Sequence, residues 1–509
     1  MTGSSSAAGN KWMVTVSIAF GSLMATIDSS IVNVAVPVLR GELGASIQEI
    51  TWVSTAYMIA MVLVMPLTGF LGAFFGQKRL YIASLILFVV GSALCGMARS
   101  LEALIFFRVL QGLGGGALQP TQQAILRQTF PPREQGMAMA IFTMVILIGP
   151  AIGPVLGGWL TDNYSWPWIF YINLPVGLVG IFMSWRNVHE PDDVRVSNRA
   201  RAESQRGHMD WAGIALMTIG VGALQYMFEE GPQEDWFESG AVMVAAFLAA
   251  VGLIAFVIRE LTATAPVVNL RLFRDPAFAA ANAVGMAMMA MLMGSMFLLP
   301  VFMQELQRLP ATDAGLALIP RTIAMMILSP IVGRLYNRVG PALLIAFGVP
   351  LFMVGSWQLG HVTSLTSSEQ LIVPLALTGG GIACLFVPLN TAALASIPRP
   401  LLADAAGLNT FLRQIGGSIG LTIFANMFTR YSTIARTALA NQVSVLRPEA
   451  AGPLPAVAAR VAREGTVIGF ERTFLLQAVL FLFLLPLLYF LRSPRAPDGA
   501  PNAPVIHAE

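Results

Sequence analysis

Long apolar runs alternate with short polar connections along nearly the whole chain. A helix that crosses a bilayer needs about 20 mostly apolar residues. Roughly fourteen runs of that length can be read, near 12–37, 50–70, 80–98, 102–123, 136–160, 168–185, 211–228, 239–258, 277–304, 313–333, 342–360, 370–393, 403–428 and 470–491. The pattern predicts an all-α polytopic membrane protein, because only helices satisfy their own backbone groups in lipid without pairing to other segments. Two connections are long, about 186–210 and 429–469. Residues 1–10 read as a short polar tail, and the first run, which carries Asp28 and lacks a clear cleavage site, as an uncleaved span.

Composition sharpens this picture. Hydrophobic residues make up 56% of the 509, charged residues 11%, and mean hydropathy is +0.71. Soluble domains carry about 25% charged residues and cannot hide so much apolar surface. A soluble enzyme, a disordered chain and a secreted disulfide scaffold are excluded, and Cys95 and Cys384 both lie inside apolar runs. The net charge is +3, with Lys11 and Lys78 the only lysines. The arginines form no stripe, so nucleic acid is not an expected partner.

The basic residues fall mainly on one side of the span plan. Alternate loops hold Lys78 and Arg79; Arg127 and Arg133; Arg186, Arg195, Arg199, Arg201 and Arg206; Arg259, Arg271 and Arg274; Arg334 and Arg338; Arg399; and Arg492 and Arg495. The other short loops hold only Arg40, Arg99 and Arg308. By the positive-inside rule both termini are expected in the cytoplasm.

An internal repeat gives the organisation. Pro66-Leu-Thr-Gly69-Phe-Leu71-x4-Gly76 closes the second run, and Pro330-Ile-Val-Gly333-Arg-Leu335-x4-Gly340 closes the tenth. Lys78 and Arg79 accompany the first copy, Arg334 and Arg338 the second. Glycines in the fifth run (Gly149, Gly153, Gly157) are echoed in the thirteenth (Gly416, Gly417, Gly420). Both offsets are eight spans, so two parallel six-helix halves flank two extra helices. The expected divisions are a tail, 1–10; a first bundle, 11–185; a linker, 186–210; two extra helices, 211–260; a linker, 261–276; a second bundle, 277–492, including an extracytoplasmic loop, 429–469; and a tail, 493–509.

These residues resemble the major facilitator superfamily, more closely its fourteen-helix drug:proton antiporters of the EmrB/QacA type. Ile27-Asp28-Ser-Ser-Ile31-Val-Asn33-Val-Ala35-Val-Pro37 is similar to that family's first-span motif. Gly69-Phe-Leu-Gly-Ala-Phe-Phe-Gly76-Gln-Lys78-Arg79 resembles the superfamily loop, except that Ala73 stands where an Asp is usual. Leu104-x3-Arg108-x2-Gln111-Gly112-x-Gly114-Gly115-Gly116 resembles the fourth-span motif, and Gly149-Pro150-x2-Gly153-Pro154-x2-Gly157-Gly158 the antiporter motif. Trp168-Ile-Phe-Tyr-Ile-Asn173-Leu-Pro175, Asp235-Trp236-Phe237 and Phe411-Leu-Arg413-Gln414-Ile-Gly416-Gly417-Ser418-Ile-Gly420 add to the likeness. The resemblance implies a major facilitator fold and proton-coupled export of hydrophobic or amphipathic compounds across the inner membrane. It implies a periplasmic membrane-fusion adaptor and an outer-membrane channel as partners, and no cofactor. An uptake symporter, an exporter of one metabolite such as a fatty acid, and a non-transporting receptor are the competing functions.

Charges inside the runs are the functional candidates, since an intramembrane charge is costly. Burial disfavours a charged carboxyl and a nearby guanidinium favours it. That opposition suits Asp28 to proton loading and release or to a substrate role, with a fixed structural ion pair as the alternative. Arg108 keeps its proton and reads as the partner of such an acid, the relay arginine by resemblance, or else as a tie between helices. Asn33, Gln111, Gln119, Arg321, Asn409 and Arg413 are candidates for the substrate cavity. Gly149, Pro150, Gly153, Pro154, Gly157 and Gly158 suit a kinked, close-packed gate at the interface between the halves, or plain packing. Gly69, Gly76, Lys78 and Arg79, with Gly333, Arg334 and Gly340, read as tight basic turns. Glu229, Glu230, Glu234 and Asp235 are expected on a solvated outer turn. The 429–469 segment, with Arg436, Arg447, Arg460 and Arg463, is read as outer helices that cap the cavity or meet a periplasmic partner. No P-loop, metal cluster or nucleophile elbow suggests an enzyme.

Overall fold

In the computed structural model the chain is almost wholly helical, and the structure describes residues 4–205, 210–263, 266–307, 315–363, 366–367, 369–442, 454–483 and 486. Arg206, His208, Arg308, Arg447, Arg492, Arg495 and His507 lie outside the described residues, as does the stretch 487–491 of the last expected span. Thirteen helices among the described residues are long and apolar enough to cross a membrane. The fourteenth expected span lies within a 41-residue helix, Leu402–Gln442, where Asn409, Arg413 and Gln414 dilute the apolar run.

The first half comprises α1 (Ser4–Leu43), α2 (Ile47–Val64), α3 (Thr68–Phe75), α4 (Gln77–Gly96), α5 (Leu101–Thr129), α6 (Pro132–Asn163), α7 (Trp168–Tyr171) and α8 (Asn173–Asn187). A short turn at Met65–Leu67, centred on Pro66, breaks α2 from α3 within one span. Helix α9 (Asp192–Gln205) fills the linker. The extra helices are α10 (Trp211–Glu230) and α11 (Gly240–Thr262). The second half comprises α12 (Pro276–Val301), α13 (Ile319–Val339), α14 (Pro341–Leu359), α15 (Ile372–Ala393), α16 (Leu402–Gln442) and α17 (Leu454–Leu482).

Local signals set the helix ends. Ser46 and Glu49 form a reciprocal capping box on α2. Ser100 caps α5, and Asp275 caps α12. Asp210 caps α10 and accepts from Arg259 at 2.9 Å. Burial opposes the charge on Asp210, but Arg259 and the helix-end amides prevail and hold its carboxyl below the usual value. Gly76 and Gly340, equivalent in the repeat, adopt φ of 81° and 84°. Only glycine takes that conformation without strain, and it lets two antiparallel helices join in one residue.

The two halves close on each other at the basic-loop end along two seams related by the repeat. In one, α3 meets α16: a Cβ on Gly69 would lie 2.7 Å from the Asp404 Cα, and one on Gly407 2.7 Å from the Met65 carbonyl. In the other, α6 meets α13: a Cβ on Gly136 would lie 2.7 Å from the Gly333 carbonyl. Helix α10 touches both halves, through Thr55 of α2 to Glu230 (3.1 Å) and Gln225 to Ser418 of α16 (3.0 Å). Glu230 is 5% exposed and Glu229 accepts from Gln225, so this pair departs from the expected solvated turn, whereas Glu234 and Asp235 are exposed.

The 429–469 segment, expected as an extracytoplasmic loop with outer helices of its own, is largely continuous with the spans beside it. Helix α16 runs on to Gln442 and α17 begins at Leu454. Close crossing at Gly465 on Arg436 and Gly469 on Ser432 lets the two helices extend side by side past the apolar run. Residues 443–453 between them lie outside the described residues.

Candidate functional site

Helix α1 is gripped on one face and carries Asp28 on the other. A Cβ on Gly149 would lie 2.1 Å from the Thr26 hydroxyl, one on Gly153 1.9 Å from the Ser30 hydroxyl, and one on Gly157 2.9 Å from Ile31 Cγ1. The fifth-span glycines thus seat α6 on Thr26 and Ser30. Asp28, two residues from each, points about 200° away from them, toward α5. Pro150, Pro154 and Gly158 are half-buried. The glycine row itself therefore makes the α1–α6 contact inside the first half, on a helix that also borders the second half. The contact between halves on α6 runs from Arg133 and Gly136 near the basic end to Thr143, which accepts from Asn390 at 3.5 Å, and to Leu147, which packs among second-half residues. The repeat reproduces this packing, with Gly416 and Gly420 of α16 seated on the Met286 and Ala290 carbonyls of α12.

Glycines also position the partner of Asp28. On α5, Gly112 and Gly116 press against the Tyr57 and Met61 carbonyls of α2, while Gly114 presses against Phe88 of α4. With no Cβ to hold the helices apart, α5 sinks between α2 and α4. One turn earlier, Arg108 meets Asp28.

The cluster is buried and almost fully hydrogen-bonded. Arg108 Nη1 donates to Asp28 Oδ2 at 2.6 Å, and the side chains are 1% and 0% exposed. Gln111 Nε2 (2.8 Å) and Asn173 Nδ2 (3.1 Å) donate to Asp28 Oδ1. Arg108 Nε donates to the Val53 carbonyl (3.0 Å) and Nη1 also to Gln111 Oε1 (2.9 Å). The guanidinium stacks 3.9 Å from the Tyr57 ring. Asn173 is fixed in turn by Ser92 (3.1 Å), which donates to the Phe170 carbonyl (2.8 Å). The Tyr57 hydroxyl is buried without a partner among the described residues.

The other candidates are dispersed. Asn33 is exposed and accepts from Ser54 at 3.4 Å, apart from the Asp28 cluster. Gln119 is half-buried on α5. Asn409 donates to Gln123 at 3.2 Å and so joins the contact between the halves. Arg413 donates to Asn390 and stacks 4.0 Å from the Phe386 ring. Arg321 donates to Ser295 at 3.2 Å, and its Nε and Nη2 are buried without described partners. No carboxylate among the described residues pairs with Arg321 or Arg413.

The loop motif sits at the closed end. Lys78 donates to the Trp185 carbonyl (2.7 Å), Gln77 N–H donates to Glu190 (3.4 Å), and Arg79 and Arg334 are exposed. Ala73 is buried, and the acid at this seam comes from across it. Asp404, in the first turn of α16, accepts from Arg201 of α9 at 2.6 and 3.0 Å. Arg399 of the second half adds bonds to Asp193 of α9 (3.1 Å) and to the Gln128 carbonyl (2.7 Å).

Two repeated glycine-turn halves with a buried acid–arginine pair describe a known plan, and residues 18–421 match the Major Facilitator Superfamily. The chain belongs to that superfamily. It is 34% identical over 497 residues to "Multidrug export protein EmrB" of Haemophilus influenzae, covering 95% of this chain and 96% of that protein. It is 33% identical over 503 residues to the Escherichia coli K12 protein of the same name, covering 96% of each. It is 32% identical over 495 residues to "Fatty acid resistance protein FarB" of Neisseria gonorrhoeae, covering 94% and 96%. Among solved structures, the human organic anion transporter MFSD10 aligns with a TM-score of 0.62 at 13% identity, covering 94% of this chain and 99% of that one. The proton:xylose symporter XylE aligns with a TM-score of 0.60 at 12% identity, covering 94% and 96%. At those identities the superfamily likeness to the solved structures is one of fold.

Sequence reading brought out Asp28, Arg108 and Gln111 but gave no site role to Asn173, Tyr57 or Ser92. Asn173 stood in a quoted motif as a lone amide within an apolar span, which was its available signal. Tyr57 and Ser92 carried none, since such residues are ordinary in membrane helices.

Proposed function

We propose that the protein exports hydrophobic or amphipathic compounds across the cytoplasmic membrane by alternating access, driven by proton entry. The observation that carries this reading is the Asp28 cluster: one carboxylate, one permanent cation and two amides, sealed in the first half. The carboxylate is the one group in that set with both a charged and a neutral form open to it, and its neutralisation would free Arg108 to rearrange. The relatives' names support export, and the basic loops support a cytoplasmic location for the closed end and both termini. On this reading the structure is closed toward the cytoplasm. Substrate leaves from the other side, with an adaptor and an outer-membrane channel as the partners that carry it onward.

The buried Arg321 and Arg413, without carboxylate partners among the described residues, favour substrates with an acidic group, a fatty acid among them. The test is the purified protein in liposomes with an imposed pH gradient and a panel of acidic, neutral and cationic amphiphiles. Gradient-driven movement is expected for the wild type and its loss for Asp28→Asn. Equal gradient-driven transport by Asp28→Asn would overturn the mechanism.

A further inference from the structure

A cavity of about 690 Å³ opens at the basic end, on the seam between α6 and α13. Lys11 and Trp12 reach it from α1, Arg133 and Glu134 from α6, and Arg334 and Arg338 from α13. Its charge is lopsided. Glu134 is the one carboxylate in the lining, and Lys11 holds it at 2.6 Å. No carboxylate among the described residues pairs with Arg133, Arg334 or Arg338, and all three are exposed.

The surface next to these cations is apolar along the same helices. On α13, Ile331 and Ile327, one and two turns from Leu335, are 41% and 60% exposed. On α1, Val16, one turn from the 38%-exposed Trp12, is 48% exposed. In a membrane protein such side chains face hydrocarbon, and a tryptophan beside basic residues marks the headgroup level. Cations at the rim with an acyl-facing wall beneath them match one kind of molecule. We propose that this cavity binds the headgroup of an anionic phospholipid, with the phosphate among Arg133, Arg334 and Arg338 and the chains along Ile331 and Ile327.

The site is shared by the two halves. Asn337 of α13 donates to the Arg133 carbonyl at 2.6 Å, so the seam itself sets the spacing of the arginines. A bound lipid therefore favours the conformation closed at this end, because separating α6 from α13 splits its ligands. The inference rests on the chain being a membrane protein and not on what it transports.

Native mass spectrometry of the detergent-purified full chain tests it, with phosphatidylglycerol, phosphatidylcholine and inorganic phosphate as probes. Phosphatidylglycerol is expected to be retained in preference to phosphatidylcholine. At about fivefold per arginine, the triple variant Arg133→Gln, Arg334→Gln, Arg338→Gln should weaken retention on the order of a hundredfold. A charge-matched control, Arg195→Gln, Arg430→Gln, Arg460→Gln, removes three exposed arginines elsewhere and should leave retention within about twofold. Lysine at all three cavity positions keeps the charge and should restore retention, which separates loss of the site from loss of the fold. The proposal is overturned by equal losses in the site and control variants, by no preference over phosphatidylcholine, or by inorganic phosphate displacing the lipid at equal concentration.

Discussion

Asp28 engages one permanent cation and two amides, and each of these groups depends on the others. Arg108 uses Nε, Nη1 and its ring-facing plane at once. A lysine cannot reproduce that fork. Arg108→Lys is therefore expected to lose gradient-driven transport, read in liposomes, despite keeping the charge. Arg108→Ala leaves a buried carboxylate with amide partners alone and should cost about 3–5 kcal/mol, read as a lowered midpoint of thermal unfolding in detergent. Asn173→Ala removes one donor from Asp28 and should cost about 1–2 kcal/mol in the same measurement. The acid and the arginine were legible in the sequence because charges inside apolar runs are conspicuous. Their pairing was legible as chemistry but not as distance, since 80 residues separate them. Asn173, whose role depends on a third helix arriving beside the first, was not.

At the scale of elements, glycine decides which helices touch. The row at Gly149, Gly153 and Gly157 follows helical spacing in the sequence, yet spacing specifies a face and not the neighbour that face meets. The neighbour is α1. Gly149→Ala would put a methyl group against the β-branched Thr26 and 2.8 Å from its backbone carbon, whereas Gly153→Ala would meet first the Ser30 hydroxyl, which can rotate away and leave the nearest backbone atom at 3.2 Å. The first is expected to lower the unfolding midpoint more than the second, and to impair transport by shifting the helix that carries Asp28. The turn glycines offer a cleaner comparison. A Cβ on Gly340 meets nothing within 4 Å, whereas one on Gly76 meets Glu190 at 2.9 Å. Gly340→Ala should cost about 1–3 kcal/mol from backbone strain alone, and Gly76→Ala more, both read by thermal unfolding.

For the whole molecule, the closed end is held by contacts that cross between the halves and by a linker helix that fastens onto both. Helix α9 reaches the first half through the Asn198–Glu190 and Glu190–Gln77 bonds, and the second through Arg201–Asp404 and Asp193–Arg399. Opening this end requires α9 to release one half or the other, and with it one set of those bonds. Asp404→Asn is expected to raise the population open at the basic end, read as a longer distance between fluorophores on the exposed positions 79 and 334. An unchanged distance distribution would remove α9 from the closing device. A ligand or substitution shifts such an equilibrium only by its difference in free energy between the two states, so the shift reads how far the Arg201–Asp404 pair favours the closed one.

Hydrophobic periodicity, the basic loops and the paired P-x-x-G-x-L-x4-G turns determined by themselves that the chain spans a membrane many times, in two repeated halves with two helices between. These are local properties: the length of an apolar run and the conformations that a glycine permits are set within a few residues. The tertiary structure decided which helix each glycine row seats against, that Asp404 of the second half packs on Gly69 and pairs with Arg201, and that Glu230 is buried against Thr55. It also decided that the arginines flanking the second repeat's turn share one cavity with α1 and α6. Those outcomes depend on pairings between segments far apart in the chain, and in lipid such pairings are chosen by close packing and hydrogen bonding, which a one-dimensional pattern of polarity does not encode.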